Sequence, residues 1–162
     1  MHTKDEKVLR LPDGKKPTPE NLFKHARDVI KGRWPEAEST IMEDPYWAYC
    51  YARDVIKGRW PEAEPHIMKN QRYAYLYAHY AIEDRWSEAE PTIMKVPAYA
   101  YQYALYVIKG RWLEAEPSIM KDPGYAMEYA KDVIKGRWLE AESHIKEDPD
   151  TWECYREHFG IS

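Results

Sequence analysis

The chain has 162 residues, 44% hydrophobic and 32% charged, with a formal charge of −4, the composition of one ordinary soluble domain. That acidic balance offers no broad attraction to phosphate backbones or anionic lipid, and no apolar run approaches the roughly 20 residues that cross a bilayer, so nucleic acid and membrane are not expected as partners. The opening MHTKDEKVLRL lacks the apolar segment of a signal peptide, and the cytoplasm is the expected location.

Residues 1–17 are polar, carry several charges and hold a Leu9-Arg10-Leu11-Pro12 patch; they read as a flexible or loosely docked N-terminal tail. A single repeat domain then runs over residues 18–162. It opens with Thr18 to Lys31, where Leu22 and His25 stand in slots that later carry Ala and Tyr. From Ala26 onward one 26-residue unit recurs five times, at 26–51, 52–77, 78–103, 104–129 and 130–155, and Ala26 to Glu38 repeats letter for letter at Ala52 to Glu64. Counting Ala26 as slot 1, the invariant residues are Ala at 1, Ile at 5, Arg at 8, Trp at 9, Glu at 11, Ala at 12, Glu at 13, Ile at 16 and Tyr at 26. A fixed period of this length means a stacked array of supersecondary units rather than a fold around one central core.

Each copy reads as two helices. The first is exemplified by Pro45 to Lys57, with Asp44 as N-cap and Pro45 at the first helical position, where a missing N–H costs nothing. Thr18-Pro19, Asp122-Pro123 and Asp148-Pro149 repeat that start. Ala48, Tyr51, Ala52, Val55 and Ile56 form one apolar stripe, in which small alanines admit a neighbouring helix. Gly58, like Gly32, Gly110 and Gly136, is expected to end the helix in the left-handed conformation. The second helix spans about Pro61 to Lys69, with Trp60, Ala63, Glu64 and Ile67 on one face; Pro65, Pro91 and Pro117 call for either a tolerated first-turn proline, a late start or a distorted turn. Neither segment is long enough to persist alone, so stacking stabilises both, with each slot-9 Trp buried between layers. Pro149 to Phe159 is a closing half unit in which Trp152 and Arg156 replace the small alanines and Gly160 stops the helix. The predicted fold is all-α: an α-solenoid of about five stacked helix-turn-helix repeats plus a C-terminal capping helix.

The pattern A…G-x-W/Y-x-E-A…P, here Ala52…Gly58-Arg59-Trp60-Pro61-Glu62-Ala63…Pro97, resembles the tetratricopeptide and Sel1-like repeats, although its period is shorter than the roughly 34 residues of a tetratricopeptide unit. Those families bind peptides or proteins. More specifically, the string YA-x-DVIKGRWPEAE-x-x-IMKDP resembles short-period repeats in uncharacterised proteins of tailed bacteriophages and bacteria, a likeness that covers nearly all of residues 19–159. It implies a bacterial host cytoplasm as the setting and brings no site residues.

Candidate chemistry is sparse. The carboxylates at slots 11 and 13 form two acidic rows, Glu36 to Glu140 and Glu38 to Glu142. With Arg repeated at slot 8 they read as structural ion pairs rather than an asymmetric catalytic pair. The six histidines follow no metal-ligand spacing, no Cys-x-x-Cys occurs, and no metal or cofactor is expected. Cys50 and Cys154 occupy one slot 104 residues apart and read as reduced thiols. The recurring Lys-Gly-Arg reads as a turn with solvated charges.

The copies differ most informatively at slot 3, where Asp28, Asp54 and Asp132 of the outer copies give way to Tyr80 and Tyr106, and at Lys-Gly, which becomes Glu83-Asp84 in the third copy. Tyr73, Leu76, His79, Tyr80, Tyr99, Gln102, Leu105 and Tyr106 then form an uncharged, tyrosine-rich candidate patch for a protein partner. Two readings of these tyrosines stand, packing inside the array or presenting a binding surface. The function expected is a non-catalytic protein-binding scaffold, phage-encoded and directed at a host factor such as a defence-system component. The alternative is a self-assembling homo-oligomeric structural module.

Overall fold

The computed structural model describes residues 9–162, an all-α solenoid of five repeated helix pairs closed by a C-terminal helix. In chain order, α1 (Pro19–His25) pairs with α2 (Pro35–Ile41), α3 (Pro45–Tyr51) with α4 (Glu64–Ile67), α5 (Gln71–Tyr77) with α6 (Glu90–Ile93), α7 (Pro97–Tyr103) with α8 (Glu116–Ile119), and α9 (Pro123–Tyr129) with α10 (Glu142–Ile145) before α11 (Pro149–Phe159). The first eight residues of the sequence-assigned tail lie outside the described residues. Further on, Leu11 is 6% exposed and the Asn21 side chain donates to the Lys16 carbonyl at 3.0 Å.

The first helices begin where the sequence places them. Thr18 accepts from the Asn21 N–H, Asp44 from Tyr46 and Trp47, and Asp122 from Tyr125. Asn70 caps α5 in the same way without a following proline, a start that the proline rule passes over. Asp148 departs from the expected pattern: its carboxylate takes the Thr151 hydroxyl and caps no backbone N–H.

The helix ends correct the sequence reading. Each first helix continues into a π-helical turn, Ala26–Ile30, Ala52–Ile56, Ala78–Ile82, Ala104–Ile108 and Ala130–Ile134. The left-handed residue is not the glycine but the one before it: Lys31, Lys57, Glu83, Lys109 and Lys135, at φ 57 to 59°. The turn closes from the slot-6 N–H onto the slot-1 carbonyl, as from Lys57 to Ala52 at 2.7 Å, so the reversal falls at slot 6. In four copies the following glycine N–H closes on the slot-1 alanine carbonyl at 3.2 Å, as from Gly58 to Ala52. A Cβ at Gly58 would meet nothing within 4 Å, and Asp84 fills the equivalent slot, so glycine there is not required by space.

The second helices resolve the proline question in favour of a late start. With Pro65, Pro91 or Pro117 as the second residue, no N–H is available to bond four residues back, and α4, α6 and α8 begin only at slot 13; α10 also begins there with Ser143 in that position, after a 3-10 turn at Leu139–Ala141, so the proline is not the sole cause. In the first copy Ser39 takes that position and α2 begins at Pro35.

The chain divides into two compact units, one ending at Lys69 and one spanning Asn70–Ser162. Within the first, α1 packs on α3, and Ala26, Ala48 and Ala52 have no exposed surface, so the two backbones approach closely. Within the second, α5 packs on α7, α7 on α9 and α9 on α11, with Ala74, Ala100 and Ala126 equally buried.

A repeated polar relay accounts for three invariant slots, the Arg, the Glu and the Tyr, and takes in the backbone N–H of the invariant Trp. In the first unit Arg33 donates from Nε and Nη2 to both Glu38 oxygens at 2.8 and 2.7 Å. The Tyr51 hydroxyl donates to Glu38 at 3.0 Å and accepts the Trp34 backbone N–H at 2.7 Å. The second unit repeats it through Arg85, Glu90, Tyr103 and Trp86, then Arg111, Glu116, Tyr129 and Trp112, then Arg137, Glu142, Tyr155 and Trp138, with the Trp N–H at 2.7 Å each time. Arg59 and Glu64 form the same bidentate pair at 2.9 Å. Planar guanidinium and carboxylate match as a fork, and the tyrosine uses both lone pair and proton, so no member is left half satisfied. The tyrosine ring also packs on the next tryptophan, Tyr51 on Trp60, Tyr103 on Trp112 and Tyr129 on Trp138, at 5.0 Å between centroids. His25 holds the tyrosine's place against Trp34 at the array's start, at 5.2 Å. The slot-13 glutamates are thus structural, as their recurrence implied, while the slot-11 glutamates are exposed.

This relay sets an alkaline limit on stability. Burial, with the Glu38 carboxylate as receiver of its proton, pushes Tyr51 up to about 12; burial likewise raises Tyr103, Tyr129 and Tyr155. The folded chain keeps these hydroxyls protonated while the unfolded chain ionises them near pH ~10, so their contribution is full below about pH 10 and is lost as pH climbs through the folded-state values. Urea midpoints should therefore fall between about pH 9 and pH 11.5; an unchanged midpoint would refute the coupling.

Candidate functional site

Three grooves of nearly the same size open between consecutive π-turns. One, about 270 Å³, is lined by Arg27, Lys31, Gly32, Asp54, Val55 and Lys57. A second, about 300 Å³, is lined by His79, Tyr80, Glu83, Tyr106, Val107 and Lys109. The third, about 310 Å³, is lined by Leu105, Lys109, Gly110, Asp132, Val133 and Lys135. Each draws slots 2 and 6 from one copy and slots 3, 4 and 6 from the next, so the repeat builds one groove several times and the slot-2, slot-3 and slot-6 residues decide its character.

In the first two copies the slot-2 and slot-3 residues neutralise each other. Arg27 forks onto Asp28 at 2.7 and 2.8 Å, and Arg53 pairs with Asp54 while resting over the Tyr49 ring, 5.0 Å from its centroid. Asp132 accepts the Tyr101 hydroxyl at 2.7 Å. In the third and fourth copies His79-Tyr80 and Leu105-Tyr106 remove both members of the pair, leaving Tyr80 51% and Tyr106 49% exposed. The His79 ring lies 4.2 Å from Tyr80, 5.6 Å from Tyr106 and 5.8 Å from Tyr75, the last stacked. Burial, then the nearby Lys109 charge, lowers the His79 pKa below its ordinary 6.5, so the imidazole is neutral at pH 7.

Of the eight sequence-assigned patch residues, the central groove gathers His79, Tyr80 and Tyr106. Leu105 lines the next groove along. Tyr99 is half-buried and stacks on Tyr75 at 6.2 Å; Tyr73, Leu76 and Gln102 are half-buried and line neither groove. The patch is also not uncharged, because Glu83 and Lys109 share the groove with the tyrosines. An α-helical wheel misses these two: they follow the π-turn in the left-handed conformation, which swings slot 6 to the groove beside slot 3. The usable signal was the replacement of Lys by Glu83 in the third copy. Tyr75 belongs to the same aromatic cluster and was hidden by the slot-24 tyrosines of its neighbours, Tyr49 and Tyr101.

Comparison with protein-family models, curated proteins and solved structures returns no match for this chain. Among the described residues no group of three or more His, Cys, Asp or Glu is placed to hold a metal ion, and no helix is long and apolar enough to cross a membrane. Cys50 is buried and Cys154 exposed, both as free thiols.

Proposed function

We propose that this chain is a non-catalytic protein-binding scaffold whose docking surface centres on the groove between the third and fourth copies. The observation that supports it is the half-exposure of Tyr80 and Tyr106 at the slot where the outer copies place aspartates engaged by Arg27, Arg53 and Tyr101. Tyrosine offers a large, rigid contact area with a polar tip, the chemistry enriched in binding hot spots. The likeness to bacteriophage repeats favours a bacterial host protein, a defence-system component first, met in the host cytoplasm. Leu76→Glu, Tyr80→Asp and Tyr106→Asp together restore charges that other copies carry at these slots. The triple variant should keep its helicity by circular dichroism and lose capture of the host protein that the unaltered chain retains from bacterial lysate. Undiminished capture would sink the assignment.

A second reading, self-assembly, draws on Leu113 and Leu139, which share slot 10 in adjacent copies at 64% and 65% exposure where earlier copies carry Pro or Ser. Light scattering decides it: a monomer mass at every concentration removes this reading.

A further inference from the structure

The central groove differs from its two counterparts in the balance of its lining charges, which is basic in both of them and even in this one. The first counterpart sets Arg27, Lys31 and Lys57 against Asp54, and the last sets Lys109 and Lys135 against Asp132. The central one holds a single base, Lys109, against Glu83, because slot 2 has become the neutral His79 and slot 6 an acid. It also gains two tyrosine faces.

Glu83 is the most costly of these changes. Slot 6 lies at the C-terminal end of the helical segment, where the macrodipole favours a cation, and the other four copies supply a lysine there. Glu83 sets an acid at that negative end, in the left-handed conformation at φ 59°. Asp84 follows without the closing bond to the slot-1 carbonyl that the four glycines make. No ion pair offsets this: neither Glu83 nor Lys109 forms a salt bridge with any described residue. A place where local rules are broken beside exposed aromatic faces marks a binding function rather than a stabilising one.

We propose that this groove receives an arginine side chain carried on an exposed segment of the partner protein. Its guanidinium pairs with the Glu83 carboxylate and stacks on the faces of Tyr80 and Tyr106. Arginine fits better than lysine because a planar, weakly hydrated guanidinium both forks onto a carboxylate and stacks on an aromatic ring. The volume, about 300 Å³, sits at the lower edge of small-molecule pockets and suits one long side chain. Lys109 opposes the cation and limits its affinity. The inference rests on the groove being the docking site proposed above.

The test uses the full chain, labelled with ¹⁵N, titrated with an acetylated, amidated Gly-Arg-Gly peptide and with its citrulline counterpart. The arginine peptide should shift the amide signals around Tyr80, Glu83 and Tyr106 saturably while the citrulline peptide does not. Glu83→Lys, the residue found in the other copies, should weaken binding by about tenfold or more, and Lys109→Gln should strengthen it. Equal shifts from citrulline, shifts elsewhere, or indifference to Glu83→Lys would overturn the proposal. Selection of displayed random peptides against the chain separates the two readings. Peptides that depend on Tyr80 and Tyr106 but lack arginine leave the docking site standing and remove the arginine; if no selected peptide depends on the tyrosines, both fall.

Discussion

Replacing Trp112 with alanine is expected to remove about 3–5 kcal/mol of stability. Trp112 is 2% exposed, and its ring lies 5.0 Å from the Tyr103 ring. Ala115 and Ile119 of the same repeat are themselves fully buried and have no free surface from which to refill the vacated space. The cost therefore combines lost burial with a cavity. The indole N–H has no hydrogen-bond partner, so bulk and ring contact, not a polar bond, explain why slot 9 never varies. Urea unfolding followed by circular dichroism measures the effect, with Leu113→Ala as comparison: Leu113 is 64% exposed and its truncation should change stability by less than about 0.5 kcal/mol. A loss at Trp112 below about 1 kcal/mol would show that the layers are held by something other than these rings.

Tyr129→Phe should cost about 1–3 kcal/mol although it deletes a single oxygen. The ring stays to pack on Trp138, so the change isolates the hydroxyl. That hydroxyl accepts the Trp112 N–H at 2.7 Å and donates to Glu116 at 3.1 Å. Removing it strands a backbone donor and strips one partner from a carboxylate that is 8% exposed. Tyr106→Phe is the matched control, since its side chain is half exposed and lies outside the relay; it should be neutral to within about 0.5 kcal/mol. Combining Tyr129→Phe with Glu116→Gln should cost less than the sum of the two, because both act on one relay; strict additivity would mean the relay does not act as a unit.

The relay also shows why invariant slots and variable slots separate in this chain. Arg111, Trp112, Glu116 and Tyr129 serve one another, and their counterparts do the same in other copies, leaving slots 2, 3 and 6 free to vary around an unchanged frame. Tyr80, Glu83 and Tyr106 sit in that variable set. Variants at the groove should therefore change binding without unfolding the array, which is what makes the tests above interpretable.

Much of the fold was written in short-range pattern. Asp44-Pro45 announces a helix start, Ala48, Tyr51 and Ala52 form the buried face, and Trp152 and Arg156 mark the last layer; each depends on neighbours within two turns, so periodicity and capping chemistry suffice. The 26-residue period likewise determined that the molecule is a stacked all-α array. Tertiary structure alone decided the rest. Glu38 finds Tyr51, thirteen residues on, only because two helices meet across a layer. Lys57 rather than Gly58 turns left-handed, because the π-turn closes from the Lys57 N–H onto the Ala52 carbonyl and overrides the local preference for glycine. The central groove gained Glu83 and Lys109 for the same reason. A pattern read along the chain records which residues recur, whereas the shape of the site depends on where a turn closes, and that is set by packing against the next layer.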